Sequence, residues 1–310
     1  MPITNVLGIE QEQFDKLCKD VLDRMTDFVK DFVTPISMAS NERSGIAWGT
    51  GNYLLLRNST YLISNEHVYA EAKGAPLAHL PGPTDMYIHC CHHFQTAGDP
   101  IDLCLMRLGK ECHDADMAVI QPFQLAPRFA PVEGELLFVA GFPGSRATRG
   151  EDVTEYNVRR NLFGPINNLG VPMLAQVCDE PIHVDVYDDK YHAAIHFPFT
   201  ARKTPEGPEE ALPNPKGMSG SFIWDTKLLA RIHAGEDWHP EDARVCGLEW
   251  GQRKAPATLL FTKIEHICPK LLSFLREESA HYKWIDRGSP FDDTSLIDWV
   301  AAEQEIVDLS

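Results

Sequence analysis

The chain has 310 residues, 44% hydrophobic and 24% charged, with 28 Lys and Arg against 45 Asp and Glu, a net charge of -17. That composition is ordinary for a globular protein, and its acidity argues against nucleic acid or an anionic membrane as partner, because both repel a negative surface. No apolar run approaches the roughly 20 residues that span a bilayer. Met1-Pro2-Ile3-Thr4-Asn5 leads into no apolar segment of the secretory kind, so the expected location is cytoplasmic. Eight cysteines, scattered without a scaffold spacing, are expected to be reduced thiols.

In chain order, Phe14, Leu17, Val21, Leu22, Met25, Phe28, Val29 and Phe32 recur at helical spacing. They predict an amphipathic helix over residues 10–33, ended by Pro35. It either packs on the main domain or docks a partner. From Ser44 to about Thr262 the pattern turns to short β-like runs between Gly and Pro, among them 52–57, 60–64, 118–121, 135–140, 222–224 and 245–250. Such runs suggest barrels or a sandwich. Residues 202–217, rich in proline, read as a loop. Helical spacing returns over 263–278, with Pro269 near the first turn. The segment from Gly288 to Ser310 is acidic, carries no Lys or Arg, and is apolar enough to pack or dock.

One cluster raises the question of metal. In His89-Cys90-Cys91-His92-His93, a strand would place His89, Cys91 and His93 on one face, and Cys112-His113 lies downstream. The spacing fits no common zinc pattern, so packed or surface side chains are expected and neither metal nor cofactor is assigned.

Three segments carry nucleophilic chemistry. Ser219 lies in Lys216-Gly217-Met218-Ser219-Gly220-Ser221, where glycines permit a tight turn and a close substrate approach. A serine hydroxyl is a weak nucleophile until an oriented base takes its proton. His67, at the end of an apolar run in Ser64-Asn65-Glu66-His67-Val68, is the candidate base. Asp116, opening the apolar run Met117-Ala118-Val119-Ile120, is the candidate orienter, with Asp114 as its rival. The amides of Gly217 and Ser219 are candidates for an oxyanion hole.

With Gly141-Phe142-Pro143-Gly144, these segments resemble the trypsin-like serine peptidase family, and most of all its bacterial, HtrA-like branch. That branch carries Thr/Ser-Asn-x-His-Val, Asp-x-Ala-Val and Gly-x-Ser-Gly in this order. The resemblance implies an all-β fold of two six-stranded β-barrels of chymotrypsin type. Here it would have an N-terminal helix over 1–43, a peptidase domain over 44–280 and an acidic C-terminal segment over 281–310. It implies a serine endopeptidase acting on a polypeptide substrate through His67, Asp116 and Ser219.

The departures shape the expectation further. Met218 stands where zymogen-type members carry an aspartate that pairs with a new N-terminus, and Ser221 replaces a customary glycine. Pro213, at the position of the specificity-pocket floor, supplies no acid, which points to small or apolar side chains rather than Arg or Lys. Gly247, Leu248, Glu249 and Trp250 belong to the segment expected to pair with the substrate, with Leu228–Gly235 as the rival placement. A cytosolic protease without zymogen chemistry is expected to be latent until a protein partner engages one terminal element. The alternative is a catalytically silent barrel that only binds.

Overall fold

A computed structural model describes residues 3–41, 44–80, 88–90, 94–109, 118–146, 148–149, 166–167, 170–197, 200–202, 209–211 and 214–286. The β-like runs of the sequence fold into two antiparallel sheets. The first contains β1 (Val33–Asn41), β2 (Ser44–Leu56), β3 (Ser59–Ser64), β4 (Leu77–His79), β5 (Ile88–His89), β6 (Phe94–Ala97) and β7 (Leu103–Arg107). Its seven strands run in the order β5-β4-β1-β2-β3-β7-β6, with the two-residue β5 added at an edge.

The second sheet begins with β8 (Leu137–Gly141), and a short pair, β9 (Thr148–Arg149) and β10 (Ile166–Asn167), stands apart from it. Then come β11 (Val171–Ala175), β12 (His192–His196), the separate pair β13 (Thr200–Arg202) and β14 (Glu209–Ala211), β15 (Phe222–Asp225), β16 (Arg244–Lys254) and β17 (Ala257–Lys263). Its six strands run β11-β8-β15-β16-β17-β12, and an antiparallel bridge from Val177 to Ile195 joins its two ends. This is the double β-barrel of chymotrypsin type that the sequence led us to expect.

Helix α1 (Gln11–Val29) buries Phe14, Val21, Met25 and Val29, the stripe that a 3.6-residue period puts on one face. That stripe packs on the second barrel. Phe28 and Phe32 lie 6.0 and 6.2 Å from the Trp224 ring of β15, and the Arg24 guanidinium sits 4.6 Å over Trp238. The helix stops at Val29 rather than at Pro35, which lies inside β1. A proline is tolerated there because the ladder to β4 covers only Ile36–Met38. Strand pairing therefore begins ahead of residue 44.

Two short helices follow. The turn α2 (Glu66–Ala70) comes directly after β3, and α3 (Leu228–Ala234) lies between β15 and β16. The rival placement of a substrate strand at Leu228–Gly235 is therefore helical instead. The first N–H groups of α3, from Leu229 and Ala230, are received by the buried Glu135 carboxylate at 3.0 and 3.2 Å. A carboxylate there suits the positive end of a helix.

The last helix, α4 (Ile264–Asp286), leaves the second barrel and straps the first. Glu278 accepts from Tyr61 Oη at 2.5 Å and pairs with Arg107 at 3.1 Å, while Gln95 reaches the Phe274 carbonyl at 2.8 Å. Among the described residues, no helix is long and apolar enough to cross a membrane.

Thr50 of β2 joins the barrels. It is fully buried, its N–H donates to Ser219 O at 2.9 Å, and its carbonyl accepts from Ser64 Oγ at 2.7 Å. Its hydroxyl donates to Gly217 O at 2.8 Å and accepts from Phe142 N–H at 3.0 Å. Thr50→Val keeps the shape but strands the last two groups, and leaving a buried group unpaired costs about 1–3 kcal/mol. Thr50→Ser keeps the hydroxyl and loses one methyl group, about 1 kcal/mol. Urea unfolding should therefore rank Thr50→Val below Thr50→Ser in stability; the reverse order would refute this role.

Candidate active site

The serine turn is shaped by what surrounds it. Gly217 and Gly220 adopt φ of +102° and +96°, which L side chains rarely occupy. A Cβ on Gly220 would fall 2.0 Å from Thr50 O, and Asn52 Nδ2 donates to Gly220 O at 2.6 Å. The Gly141-Phe142-Pro143-Gly144 turn backs the same loop, with Gly144 N–H donating to Lys216 O at 2.8 Å. Ser221, the departure from the usual glycine, turns its hydroxyl inward onto Met218 O at 2.6 Å. Gly141 leaves the room, since a Cβ there would lie 2.2 Å from Ser221 Oγ.

Around Ser219 the amides alternate in use. Met218, Gly220 and Ser221 donate their N–H groups to Pro215, Glu249 and Met218 carbonyls at 2.8, 2.9 and 2.9 Å. Those of Gly217 and Ser219 meet no acceptor among the described residues. Ser219 itself is half-buried.

His67 sits in the single turn of α2. The polar residues just before it are structural: Ser64 holds Thr50 O, and Asn65 Nδ2 donates to Asp102 O at 2.8 Å. Val68 closes on the serine turn, for a Cβ on Gly49 would lie 2.8 Å from Val68 Cγ1 and 3.5 Å from Ser219 O.

The carboxylate on His67 is Asp102. Its Oδ2 lies 2.6 Å from His67 Nδ1, and its Oδ1 accepts the His67 N–H at 3.0 Å. Asp102 directly precedes β7 with φ +51°, a left-handed conformation that aspartate tolerates better than most residues. Asp116, expected in this place, and Asp114 lie outside the described residues, as does Pro213. So do Cys91, His92, His93, Cys112 and His113 of the histidine-cysteine cluster. With Asp102 on Nδ1, the outer ring nitrogen of His67 remains for proton transfer. Burial alone would lower the His67 pKa. The hydrogen bond and charge of Asp102 outweigh it, with Glu71 and Glu66 adding, so the pKa rises above its ordinary 6.5.

The segment 247–250 of strand β16 is the expected receiver of substrate. The backbone of its first three residues is already committed. Gly247 and Leu248 pair with Ile223 and Phe222 on one side and with Lys263 and Thr262 on the other. Glu249 N–H donates to Ser221 O at 2.8 Å and Glu249 O accepts from Gly220 at 2.9 Å. Beyond a bulge between Glu249 and Gly251, only the β17 side stays paired among the described residues. Among the described residues, the edge of β16 away from β17 is therefore unpaired to any strand from Trp250 onward.

Sequence reasoning missed Glu249 as a buried acid. It is 2% exposed, and its Oε2 has no partner among the described residues. Burial, then the negative charge of Asp102, push its carboxyl well above the usual range, against a hydrogen bond from Gly251 N–H.

No protein-family model and no curated protein matches the chain. Among solved structures it is similar to a serine endoprotease from Yersinia pestis, with TM-score 0.45 and 12% identity over 81% of this chain and 65% of that one. It is similar to the MamO protease domain from Magnetospirillum magneticum, with TM-score 0.43 and 12% identity over 78% of this chain and 96% of that one. An inactive mutant form of Rv3671c from M. tuberculosis H37Rv gives TM-score 0.43 and 14% identity over 80% of this chain and 89% of that one. At these scores and identities no residue role passes from those proteins to this one.

The raised Glu249 pKa has a linkage consequence. The folded state holds that proton more tightly than the unfolded chain, so its stabilising effect is complete below about pH 4.5 and is lost as pH rises through the folded pKa. Glu249→Gln removes this dependence. The stability of the native chain relative to Glu249→Gln should fall with pH above about 4.5, by up to about 1.4 kcal/mol per unit. Parallel curves from urea unfolding at several pH values would contradict the burial of an acid at this position.

Proposed function

We propose that the protein is a serine endopeptidase of the trypsin-like kind, in keeping with the bacterial branch its motifs resemble. Ser219 Oγ attacks the peptide carbonyl. His67 takes the serine proton and returns it to the leaving amine. Asp102 keeps the imidazole in the tautomer with its outer nitrogen free and stabilises the imidazolium. Water then repeats the sequence on the acyl-enzyme to release the acid product. The Gly217 and Ser219 amides receive the developing oxyanion. The observation that carries this reading is the 2.6 Å contact of His67 Nδ1 with Asp102, together with a glycine-shaped serine turn in which the Gly217 and Ser219 amides meet no acceptor among the described residues.

An extended polypeptide would add to the free edge at Trp250–Gln252 as another antiparallel strand. Pro213 offers no charge for a basic side chain, so cleavage after small or apolar residues is the expected preference. Of the two terminal elements suited to an activating partner, α1 has its apolar face covered by the second barrel, which leaves the acidic segment 281–310.

Labelling with a fluorophosphonate, mapped by mass spectrometry, should modify Ser219 and fail in Ser219→Ala. Labelling that needs added cell lysate would indicate a latent enzyme. A well-folded protein that stays unlabelled under both conditions would favour the silent binding module.

The two aspartates separate in kinetics. Asp102→Asn should lower kcat by about 10⁴, the loss typical when the orienting carboxylate is neutralised. Asp116→Asn should remain near the native rate. The active form of His67 is neutral, so the acidic limb of kcat/KM should lie above pH 6.5 and move down in Asp102→Asn. Equal losses in the two variants would overturn the assignment of Asp102.

A further inference from the structure

The second barrel closes at a thin seam. The chain leaving β11 meets β12 through the Val177–Ile195 bridge. Two hydrogen bonds flank it, Cys178 N–H to Ala194 O at 2.9 Å and His196 N–H to Gln176 O at 3.0 Å. In that register Cys178 and His196 project from the same face as diagonal neighbours, close enough for their side chains to meet. Glu180 turns back onto them two residues later. The Cys178 Sγ, a His196 ring nitrogen and a Glu180 carboxylate oxygen all lie within 4.8 Å of one another.

We propose that Cys178, Glu180 and His196 form a divalent-cation site, best matched to Zn²⁺, that staples the closure of the second barrel. A thiolate, an imidazole and a carboxylate are the donors zinc takes, at about 2.0–2.3 Å, and three of them leave a fourth tetrahedral position for water. With all three donor atoms within 4.8 Å of one another and Cys178 and Glu180 only two residues apart, small side-chain rotations bring them onto one ion.

A further observation fits a ligand set. The His196 ring spends neither nitrogen on a hydrogen bond among the described residues. Access also exists: Cys178 is buried but Glu180 is exposed, and His196 lines a cavity of about 680 Å³ together with Asp179 and Glu133. The acidic groups around it favour a cation. This site is separate from the serine centre and does not depend on the peptidase reading.

Titration of the reduced, full-length protein with Co²⁺ tests it. The expected result is saturation at one equivalent, with the thiolate-to-cobalt charge-transfer band and intense visible bands of a tetrahedral ion, both bleached by Zn²⁺. Cys178→Ser should abolish the charge-transfer band, and His196→Ala should weaken binding by at least about tenfold. Zn²⁺ should raise Tm in the native chain and not in Cys178→Ser. Because His196 is only half-buried, His196→Ala keeps the test decisive if the cysteine variant fails to fold. Absence of the band at one equivalent, or its persistence in Cys178→Ser, would overturn the proposal.

Discussion

Ser219 and His67 stand on different barrels, and their register depends on the buried hydrogen bonds of Thr50. Through its amide, carbonyl and hydroxyl this one residue is tied to the serine turn, to the end of β3 that carries His67, and to the turn after β8. All four bonds lie out of water, where a missing partner costs more than a formed bond contributes. The glycines follow from this constraint. Gly220 must lack a Cβ because Thr50 O occupies that space, and Gly217 because Gly144 N and Phe142 O do.

The electrostatics of the site are layered from the inside out. Asp102 holds the His67 imidazole, and its charge also acts on the buried Glu249 carboxyl. Burial first, then that charge, make Glu249 hold its proton more firmly than it would in water. Asp102 accepts from the His67 ring and backbone, whereas Glu249 Oε2 accepts from nothing among the described residues. The hydrogen bond and charge of Asp102 raise the basicity of His67.

Much of this is legible in the sequence. The short runs between glycine and proline announce barrels, and the surroundings of His67 and Ser219 identify the elements that carry them. The aspartate is harder. Asp102-Leu103-Cys104-Leu105 and Asp116-Met117-Ala118-Val119 both place an acid at the mouth of an apolar run. Local pattern cannot choose between them, because the choice is made by a long-range contact with Asn65 and His67 across β3 and β7. The strand over 245–250 is legible, but among the described residues its edge stays paired to β15 through Leu248, since where β15 ends is a matter of tertiary register. In the sequence Glu249 is one residue of the expected substrate-pairing segment; its burial shows only in the folded chain. The Cys178–His196 pairing is equally silent, as those residues are brought together by barrel closure rather than by spacing.

The central proposal is that His67, held by Asp102, serves as the base for Ser219, with the Gly217 and Ser219 amides receiving the oxyanion. A crystal structure of the protein phosphonylated by a fluorophosphonate tests it most directly. The account predicts phosphorus on Ser219 Oγ, one phosphonyl oxygen accepting from the Gly217 and Ser219 N–H groups, and His67 Nδ1 still on Asp102. Phosphorus on another residue, or His67 turned from Asp102 to Asp116, would contradict it.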